Sequence, residues 1–454
     1  MIRNDRLEYL ANILQKFVLA ISIFLVQINA ESKPLDIFSE QPDETKSKWV
    51  VVLDDPRPER LKGWSGSSGY RGSLDYNDDL ALKRLAADVL ENVSVDLVTQ
   101  WPIKSINVHC LIIAIPTVNQ VEVLQKLEAD SRVKWVQAYQ TFEGRTLEGI
   151  LPQGKSLGEQ NKPDSLTGGH DYQIDPYLRL QTVFHQLNIE EVSQVLTGQG
   201  ITIAMIDSGV EMDHPEINHA ILEQIDFVST DVLIPSEHHG TGVAGAMIAQ
   251  KGNGTGIIGL APFAKLFAYR SCWETLGKKT ICDSLTLARA LDRVAKVKPD
   301  LLNLSLTGPK DRLLDSLIDV ILKNGTHVVA AYDNSRKDNE RFPTLRTGIS
   351  IAQDSFAENN FSHKTILAPG KEVLTTQPGK TYAFMSGSSM ATAHLTSLYA
   401  LAMQASPEIN LTEFSELFKN YTQKTSSGNQ IDVCAVFLKL KVDIQCSQKF
   451  VAQF

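Results

Sequence analysis

Residues 386–394 read Ser386-Gly-Ser-Ser-Met-Ala-Thr-Ala-His394 and lead directly into a long apolar stretch with helical spacing. This pattern predicts a helix that begins beside Ser389. At a helix N-terminus, the serine has its own backbone N–H and the positive end of the helix dipole next to its hydroxyl. Both would stabilise the oxyanion that forms when the hydroxyl attacks a carbonyl group, although a helix-capping serine gives the same local pattern.

A base for this serine is supplied by a second stretch, His239-Gly-Thr-Gly-Val-Ala-Gly-Ala246. Its small residues predict an almost smooth helix, which can lie close to a sheet while its first turn presents the His239 imidazole. With an ordinary pKa of about 6.5, an imidazole is the usual general base at neutral pH. Ser389 needs such a base because its hydroxyl is otherwise a poor nucleophile. We expect the adjacent His238 to be a surface residue that points elsewhere.

An acid stands at the end of a predicted strand. Asp207 follows Ile201-Thr-Ile-Ala-Met-Ile206 and precedes Ser208-Gly209. At the carboxyl end of a strand and next to a glycine turn, its side chain would reach into a cleft. An ordinary turn aspartate has the same local pattern.

Beyond residue 174, apolar strands alternate with helical patterns. We expect strands over residues 201–206, 265–271, 301–306, 327–332, 348–352 and 365–367. We expect helices over residues 241–250, 284–296, 313–324, 389–404 and 411–421. Such alternation is typical of an α/β fold in which a mostly parallel sheet has helices on both faces. Ligand sites then lie at the carboxyl ends of the strands.

The region before residue 141 has a different rhythm. Residues 48–140 follow a βαββαβ order, which predicts a small α+β domain with an antiparallel sheet and both helices on one face. Residues 141–174 are rich in glycine, proline, serine and lysine and are typical of a linker open to cleavage.

Residues 1–30 resemble a secretory signal peptide. Basic residues precede an apolar run from Phe17 to Ile28, and Asn29-Ala30 precede a polar stretch. The run is shorter than the roughly 20 residues that cross a bilayer, so we expect no stable membrane span. An uncleaved interfacial anchor is the alternative. The five cysteines also fit an oxidising compartment, and we therefore expect a secreted or periplasmic protein.

Cysteine spacing favours two local disulfides, since Cys272 and Cys282 are ten residues apart and Cys434 and Cys446 are twelve apart. Cys110 would be left over. Five buried free thiols are the alternative, because sequence alone does not choose among pairings. A net charge of −9 gives a nucleic-acid partner no electrostatic support.

Together, the three motifs resemble the subtilase family, whose catalytic triad runs in the chain order Asp, His, Ser. Here that order gives Asp207, His239 and Ser389. The resemblance covers about residues 175–440, and its segments are Asp207-Ser-Gly-Val with His214-Pro-Glu-Ile, His239-Gly-Thr-Gly-Val-Ala-Gly, Gly256-Ile-Ile-Gly-Leu-Ala-Pro262, Asn303-Leu-Ser-Leu306, Ala368-Pro-Gly370 and Gly387-Ser-Ser-Met-Ala391. It implies a subtilisin-like catalytic domain over residues 175–454. It also implies a serine endopeptidase that hydrolyses polypeptides through an acyl-enzyme on Ser389, with no cofactor in the chemistry.

The resemblance implies further roles. The second oxyanion donor would be Asn334, or Asp333 in an alternative alignment, where the carboxylate would have to be protonated. Glu216 and Asn253 would form a structural calcium site. Residues 31–140 resemble the inhibitory propeptide of the family, which processing within about residues 140–175 would release. The implied walls of the substrate site include Ser305, Leu306, Gly308 and Ala331.

We expect a monomer whose activity rises with pH through about 6 to 7, because His239 must be neutral to act as a base. Two alternatives stay open. The Asp333-Asn334 variation could mark a subtilase fold that has lost catalysis and serves as a binding protein. An active enzyme could instead be a maturation protease of narrow specificity.

Overall fold

The computed structural model describes residues 45–55, 80–144, 175–231, 233–333, 335, 340–355, 365–425 and 428–446. The expected signal peptide, residues 145–174 of the expected linker, and Asn334 lie outside these ranges. The chain divides into two compact units. All described residues except 229–231 belong to one of these units, and residues 229–231 belong to the other. Within the described ranges, none of the helices has the length and apolar character needed to cross a bilayer.

In its described residues, the N-terminal domain is a four-stranded antiparallel sheet with two helices. Its elements follow the predicted βαββαβ order: β1 (Lys46–Asp54), α1 (Leu80–Leu90), β2 (Asp96–Ile103), β3 (Val108–Pro116), α2 (Gln120–Ala129) and β4 (Val133–Ala138). The strands lie in the order β2-β3-β1-β4. Because side chains alternate along a strand, Val51 and Leu53 enter one core, which they share with Ala86 of α1 and Leu127 of α2.

The described residues from 141 onward form a larger domain. Its strands are β5 (Thr141–Gly144), β6 (Thr202–Asp207), β7 (Ile221–Asp226), β8 (Lys265–Arg270), β9 (Cys272–Glu274), β10 (Thr280–Asp283), β11 (Leu301–Leu304), β12 (Leu306–Pro309), β13 (His327–Ala331), β14 (Arg341–Phe342), β15 (Ile349–Asp354), β16 (Thr365–Ala368), β17 (Val373–Gln377), β18 (Thr381–Met385), β19 (Thr422–Thr425) and β20 (Gly428–Ile431). Its α-helices are α3 (Val183–Leu187), α4 (Val192–Val195), α5 (His238–Ile248), α6 (Ser284–Val297), α7 (Arg312–Lys323), α8 (Ser388–Ala405), α9 (Leu411–Asn420) and α10 (Val433–Lys439).

A parallel sheet of seven strands, in the order β16-β15-β13-β11-β6-β8-β7, forms the centre of this domain. Its helices cover both faces, so the predicted α/β class is confirmed. Each predicted strand is present within a few residues of its expected ends. The sequence does not predict β7, because Glu223 and Gln224 interrupt its apolar pattern.

Local signals fix where the helices begin. Asp283 caps α6 by accepting the Thr286 N–H at 2.9 Å, and Asp311 caps α7 by accepting the Leu314 N–H at 3.0 Å. Helix α8 differs from these amphipathic helices, since residues 389–402 are all buried. An all-round buried helix of this kind lies in the core of the domain.

The N-terminal domain packs against helices α6 and α7 of the larger domain. Val52, whose side chain lies on the sheet face opposite α1 and α2, is fully buried. Ser105 donates to the Asp292 carboxylate of α6 at 2.6 Å. The Arg312 guanidinium of α7 lies 4.4 Å from the centre of the Trp135 ring. The small sheet therefore packs between its own two helices and two helices of the larger domain.

Strand β5 corrects the expected start of the linker at residue 141. It is the central strand of a five-stranded sheet in the order β14-β12-β5-β10-β9, and it pairs antiparallel with both neighbours. Glu143, for example, faces Ile281 of β10 on one side and Thr307 of β12 on the other. Such a short polar segment forms a strand because the two neighbours supply partners for its backbone N–H and C=O groups.

Both predicted disulfides form, which makes the alternative of five free thiols wrong. Cys272–Cys282 joins β9 to β10, and Cys434–Cys446 ties α10 to the segment that follows it. Cys110 is a buried free thiol in β3.

Replacing Cys434 and Cys446 together by alanine should lower the free energy of unfolding by about 3 kcal/mol, because the bridge closes a loop of 12 residues in the unfolded chain. Denaturant titration of both proteins, with and without a reducing agent, measures this difference. The two proteins should unfold at the same denaturant concentration once reduced. A difference that survives reduction would show that packing of the sulfur atoms, and not the cross-link, stabilises this end of the chain.

Candidate active site

Asp207 is the last residue of β6, so its carboxylate stands at the carboxyl edge of the parallel sheet. It is almost completely buried. Its Oδ1 accepts the Ser208 backbone N–H at 2.7 Å, which holds the carboxylate in one orientation. The sheet topology therefore places the predicted acid where ligand sites of α/β folds lie.

His239 lies in the first turn of α5, which runs close to β6. Gly240 allows this approach, because a Cβ on that residue would clash with the carbonyl oxygen of Ser208. The Gly240 N–H instead donates to Ser208 Oγ at 2.9 Å. The small residues that suggested a smooth helix thus bring the imidazole to the sheet edge.

Ser389 lies in the first turn of α8, as predicted. The helix begins after Gly387, whose φ of 145° belongs to a region that only glycine readily adopts. Ser388 fixes the start of the helix by donating from its hydroxyl to the Tyr332 carbonyl at the end of β13, at 3.1 Å. Ser389 itself is fully buried.

These three side chains form one hydrogen-bonded chain. His239 Nδ1 lies 2.6 Å from Asp207 Oδ1, and His239 Nε2 lies 3.0 Å from Ser389 Oγ. Ser389 Oγ also lies 2.9 Å from the carbonyl oxygen of Ser305. The arrangement is that of an acid that orients a base, and of a base within reach of a hydroxyl nucleophile.

Glu274 of β9 is a site residue that the sequence did not predict. Its Oε1 accepts the His239 backbone N–H at 2.6 Å, and its Oε2 lies 3.0 Å from His238 Nδ1. The side chain of His238 is 44% exposed, so this residue lies at the surface as expected but belongs to the same cluster. The sequence offers one indication of its position: Glu274 lies between Cys272 and Cys282, and the disulfide between them holds this segment at the sheet edge.

The pKa of His239 is raised above its ordinary value of 6.5. Burial would lower this pKa, but the charge and hydrogen bond of Asp207 outweigh burial, and the charge of Glu274 adds to them. Protonation of the base is therefore favoured over that of a free imidazole.

A buried ion cluster lies behind this site. Arg270 of β8 binds the carboxylates of Asp226 and Glu237, at 3.0 and 2.9 Å. Glu237 also accepts the N–H of Gly209, at 2.5 Å, and that of Glu274, at 3.0 Å. One carboxylate thus links the turn after Asp207 to the strand that carries Glu274.

Strand β5 lies directly beside the triad. Leu306 of β12 pairs with Gly144, and a Cβ built on Gly144 would lie 3.1 Å from His239 Nε2. Gly308 leaves room for the ring of Phe142, which a Cβ on that glycine would overlap. Predicted substrate-site residues 305, 306 and 308 are therefore all in contact with the triad or with this strand.

The remaining predicted substrate-site residue, Ala331, is buried at the end of β13. Asp333 follows shortly after, and its Oδ1 accepts the Ser335 N–H at 2.9 Å and the Ser335 hydroxyl at 2.5 Å. Asn334 lies outside the described residues. The carboxylate of Asp333 is thus hydrogen-bonded within its own loop.

The two predicted calcium ligands do not fit the role in this arrangement. Glu216 Oε2 accepts the Asn253 side-chain N–H at 3.0 Å, and Oε1 accepts from Tyr382 Oη at 2.7 Å and from the Ile257 N–H at 3.1 Å. The amide oxygen of Asn253 accepts the Thr255 N–H at 2.9 Å. Across the described ranges, no group of three or more His, Cys, Asp or Glu side chains could hold a metal ion.

The sequence profile of the subtilase family, Peptidase S8, matches residues 198–433. Subtilisin Savinase from Lederbergia lenta is 32% identical over 244 residues, which are 52% of this chain and 87% of that protein. A thermophilic serine proteinase from Bacillus sp. (strain AK1) is 31% identical over 236 residues, or 50% of this chain. The match spans only 57% of that proteinase.

Among solved structures, fervidolysin from Fervidobacterium pennivorans, described as a keratinolytic enzyme related to subtilisin, has a similar fold. The TM-score is 0.62 at 17% sequence identity, over 89% of this chain and 63% of fervidolysin. At this identity the similarity concerns the fold alone. The family profile covers more than half of the sequence and all three triad positions. We conclude that this chain belongs to the subtilase family.

Proposed function

We propose that the chain is an exported serine endopeptidase, synthesised as a self-inhibited precursor, with Asp207, His239 and Ser389 as its catalytic triad. The observation that carries the proposal is the buried hydrogen-bonded chain between these three side chains. The base lies within hydrogen-bond distance of both the nucleophile and the orienting acid. A triad with these hydrogen bonds intact weighs against a subtilase fold that serves only as a binding protein.

In the proposed reaction, Ser389 Oγ attacks the carbonyl carbon of a peptide bond while His239 Nε2 accepts the hydroxyl proton. Asp207 holds the imidazole at Nδ1 and stabilises the imidazolium ion. The tetrahedral intermediate then collapses, the C–N bond breaks, and the amine leaves with the proton from His239. Water, deprotonated by the same base, hydrolyses the acyl-enzyme and restores Ser389.

Two donors are proposed for the oxyanion. The Ser389 N–H belongs to the first turn of α8, at the positive end of the helix dipole. The side-chain amide of Asn334 is the second. The hydrogen bonds from Ser335 to Asp333 support this choice over Asp333, since they hold Oδ1 of that carboxylate within its own loop.

The N-terminal domain is proposed to be an inhibitory propeptide, with processing after Gly144 and before residue 175. Strand β5 supports this proposal, because it fills the space between β10 and β12 next to His239. A substrate chain cannot pair with the same two strands while β5 occupies them. Packing of the small sheet against α6 and α7 further stabilises the contact between the N-terminal domain and the larger domain.

Export is supported by the leader-like residues 1–30 and by the two disulfides, which persist in oxidising compartments. Both observations support a secreted or periplasmic protein.

A fluorophosphonate probe should label the protein only after the N-terminal domain has been removed, because β5 fills the space beside His239 in the precursor and Ser389 is fully buried. In the Ser389→Ala variant, labelling and self-processing should both be lost. Peptide hydrolysis should fall on the order of 10⁶-fold, the size of effect that the corresponding change has in a subtilisin. Gel fluorescence and amino-terminal sequencing of the processed chain are the measurements. A folded, processed protein that takes up no probe would contradict the proposed activity.

The kcat/KM of the processed enzyme should rise with pH around a midpoint above 6.5, since His239 must be neutral and its pKa is raised. Glu274→Gln should move that midpoint to lower pH, because it removes a negative charge near the imidazole while an amide oxygen still faces the His239 N–H. Glu413→Gln, at an exposed position on α9, is the matched control and should leave the profile unchanged. A rate that is flat between pH 5 and 8, with chemistry limiting, would contradict the role of His239.

Glu216→Ala should lower the thermal midpoint by the same amount in EDTA and in calcium, because the carboxylate is held by hydrogen bonds from the protein. Differential scanning calorimetry of the variant and the parent chain in both buffers tests this. Destabilisation that appears only in calcium would restore the predicted calcium site at Glu216 and Asn253.

A further inference from the structure

Strand β5 marks the path of an extended chain through the cleft. Thr141, Phe142 and Glu143 face successive residues of β10, and Glu143 and Gly144 face successive residues of β12. Without a chain in this place, the facing N–H and C=O groups of β10 and β12 would lack protein partners. A polypeptide substrate added as a strand between them would therefore follow the same register.

The position of Gly144 in this register has no room for a side chain. A Cβ built there would lie 2.9 Å from Thr280 Cβ, 3.1 Å from His239 Nε2 and 3.2 Å from His239 Cε1. Thr280 and the catalytic imidazole thus face each other across a gap that only a glycine passes without displacing one of them.

Neither Thr280 nor the His239 ring can move away from this position without breaking other contacts. Thr280 is buried and pairs with Glu274, whose carboxylate holds the His239 backbone N–H. The disulfide Cys272–Cys282 locks the two strands that carry these residues. On the other side, moving the His239 ring would break the hydrogen bonds that align the triad.

Backbone conformation does not explain the glycine, because Gly144 has no positive φ. The neighbouring positions of β5 do accept side chains. Glu143 is exposed, and Phe142 is fully buried against Phe342, with ring centres 5.5 Å apart. The restriction is therefore local to the position that faces Thr280 and His239.

We propose that the substrate position facing His239 is selective for glycine and that Thr280 is the residue that enforces this selection. The inference rests on the proposed endopeptidase function and names its substrate class: extended segments with glycine at the register position of Gly144.

The first test does not require catalysis and uses the full chain in the Ser389→Ala background, which cannot process itself. Adding Gly144→Ala should speed hydrogen exchange of the amides in β5 and β10 by at least about tenfold, since an overpacked contact weakens the seating of the strand. Exchange in the parallel sheet should stay unchanged, which shows that the fold is intact.

Variants of Thr280 test whether its Cβ is the group that excludes a side chain at position 144. Thr280→Gly, which removes Cβ, should restore slow exchange to the Gly144→Ala protein. Thr280→Ala keeps Cβ and should not. Unchanged exchange on Gly144→Ala, or equal rescue by both Thr280 variants, would overturn the proposal.

The second test uses the processed enzyme and a peptide with the sequence of residues 139–150. Replacing its glycine at position 144 by alanine should lower kcat/KM at least about tenfold. Thr280→Gly enzyme should reduce this ratio to about threefold or less, because the nearest clash is gone. Lys279→Ala, an exposed neighbour in the same hairpin, is the control and should keep the full ratio.

The two tests separate the two proposals. Equal cleavage of both peptides by an enzyme that takes up the fluorophosphonate probe would overturn the glycine selection and leave the endopeptidase function standing. If neither peptide is cleaved and no probe is bound, the endopeptidase function fails, and the exchange experiment alone decides whether the cleft position excludes a Cβ.

Discussion

The close approach of helix α5 to the end of strand β6 fixes the geometry on which the rest of the site depends. Gly240 lies against the carbonyl oxygen of Ser208, with no space for a Cβ between them. Because His239 stands in the first turn of the same helix, any larger residue at position 240 would carry the imidazole away from Asp207 and Ser389. A displacement of about 1 Å is enough to break hydrogen bonds of this length and alignment.

The charged residues behind the triad serve orientation more than stability. A buried cluster such as Arg270 with Asp226 and Glu237 loses much of its Coulomb attraction to the cost of removing charges from water. Its geometric effect is clearer, since Glu237 holds both the turn at Gly209 and the strand at Glu274. The turn after Asp207 and strand β9 are therefore held at a fixed distance from each other. His239 lies between them and is oriented from both sides.

Sequence patterns predicted the parallel sheet and the triad because their signals are local: an acid after an apolar strand, a histidine before small residues, a serine before a helix. Strand β5 escaped prediction because its four residues carry no strand pattern and obtain their partners from segments more than 130 residues away. Glu274 escaped for a similar reason, since only the folded hairpin brings it to His239. The expected calcium ligands show a third limit: residue types suggested a metal site, but the direction of the Glu216 and Asn253 side chains depends on Tyr382 and Thr255.

The five-stranded sheet has a consequence for the shape of anything that replaces β5. Strands β10 and β12 both pair with it, so they stand two strand spacings apart, about 9.6 Å. A gap of that width holds one extended chain, whereas an α-helix with its side chains measures about 10–12 Å across and does not fit. Under the proposed endopeptidase function, even a protein rich in cleavable sequences is then protected while those sequences are folded. Exposure of a loop, a terminus or an unfolded region, and not sequence alone, decides which chains can enter.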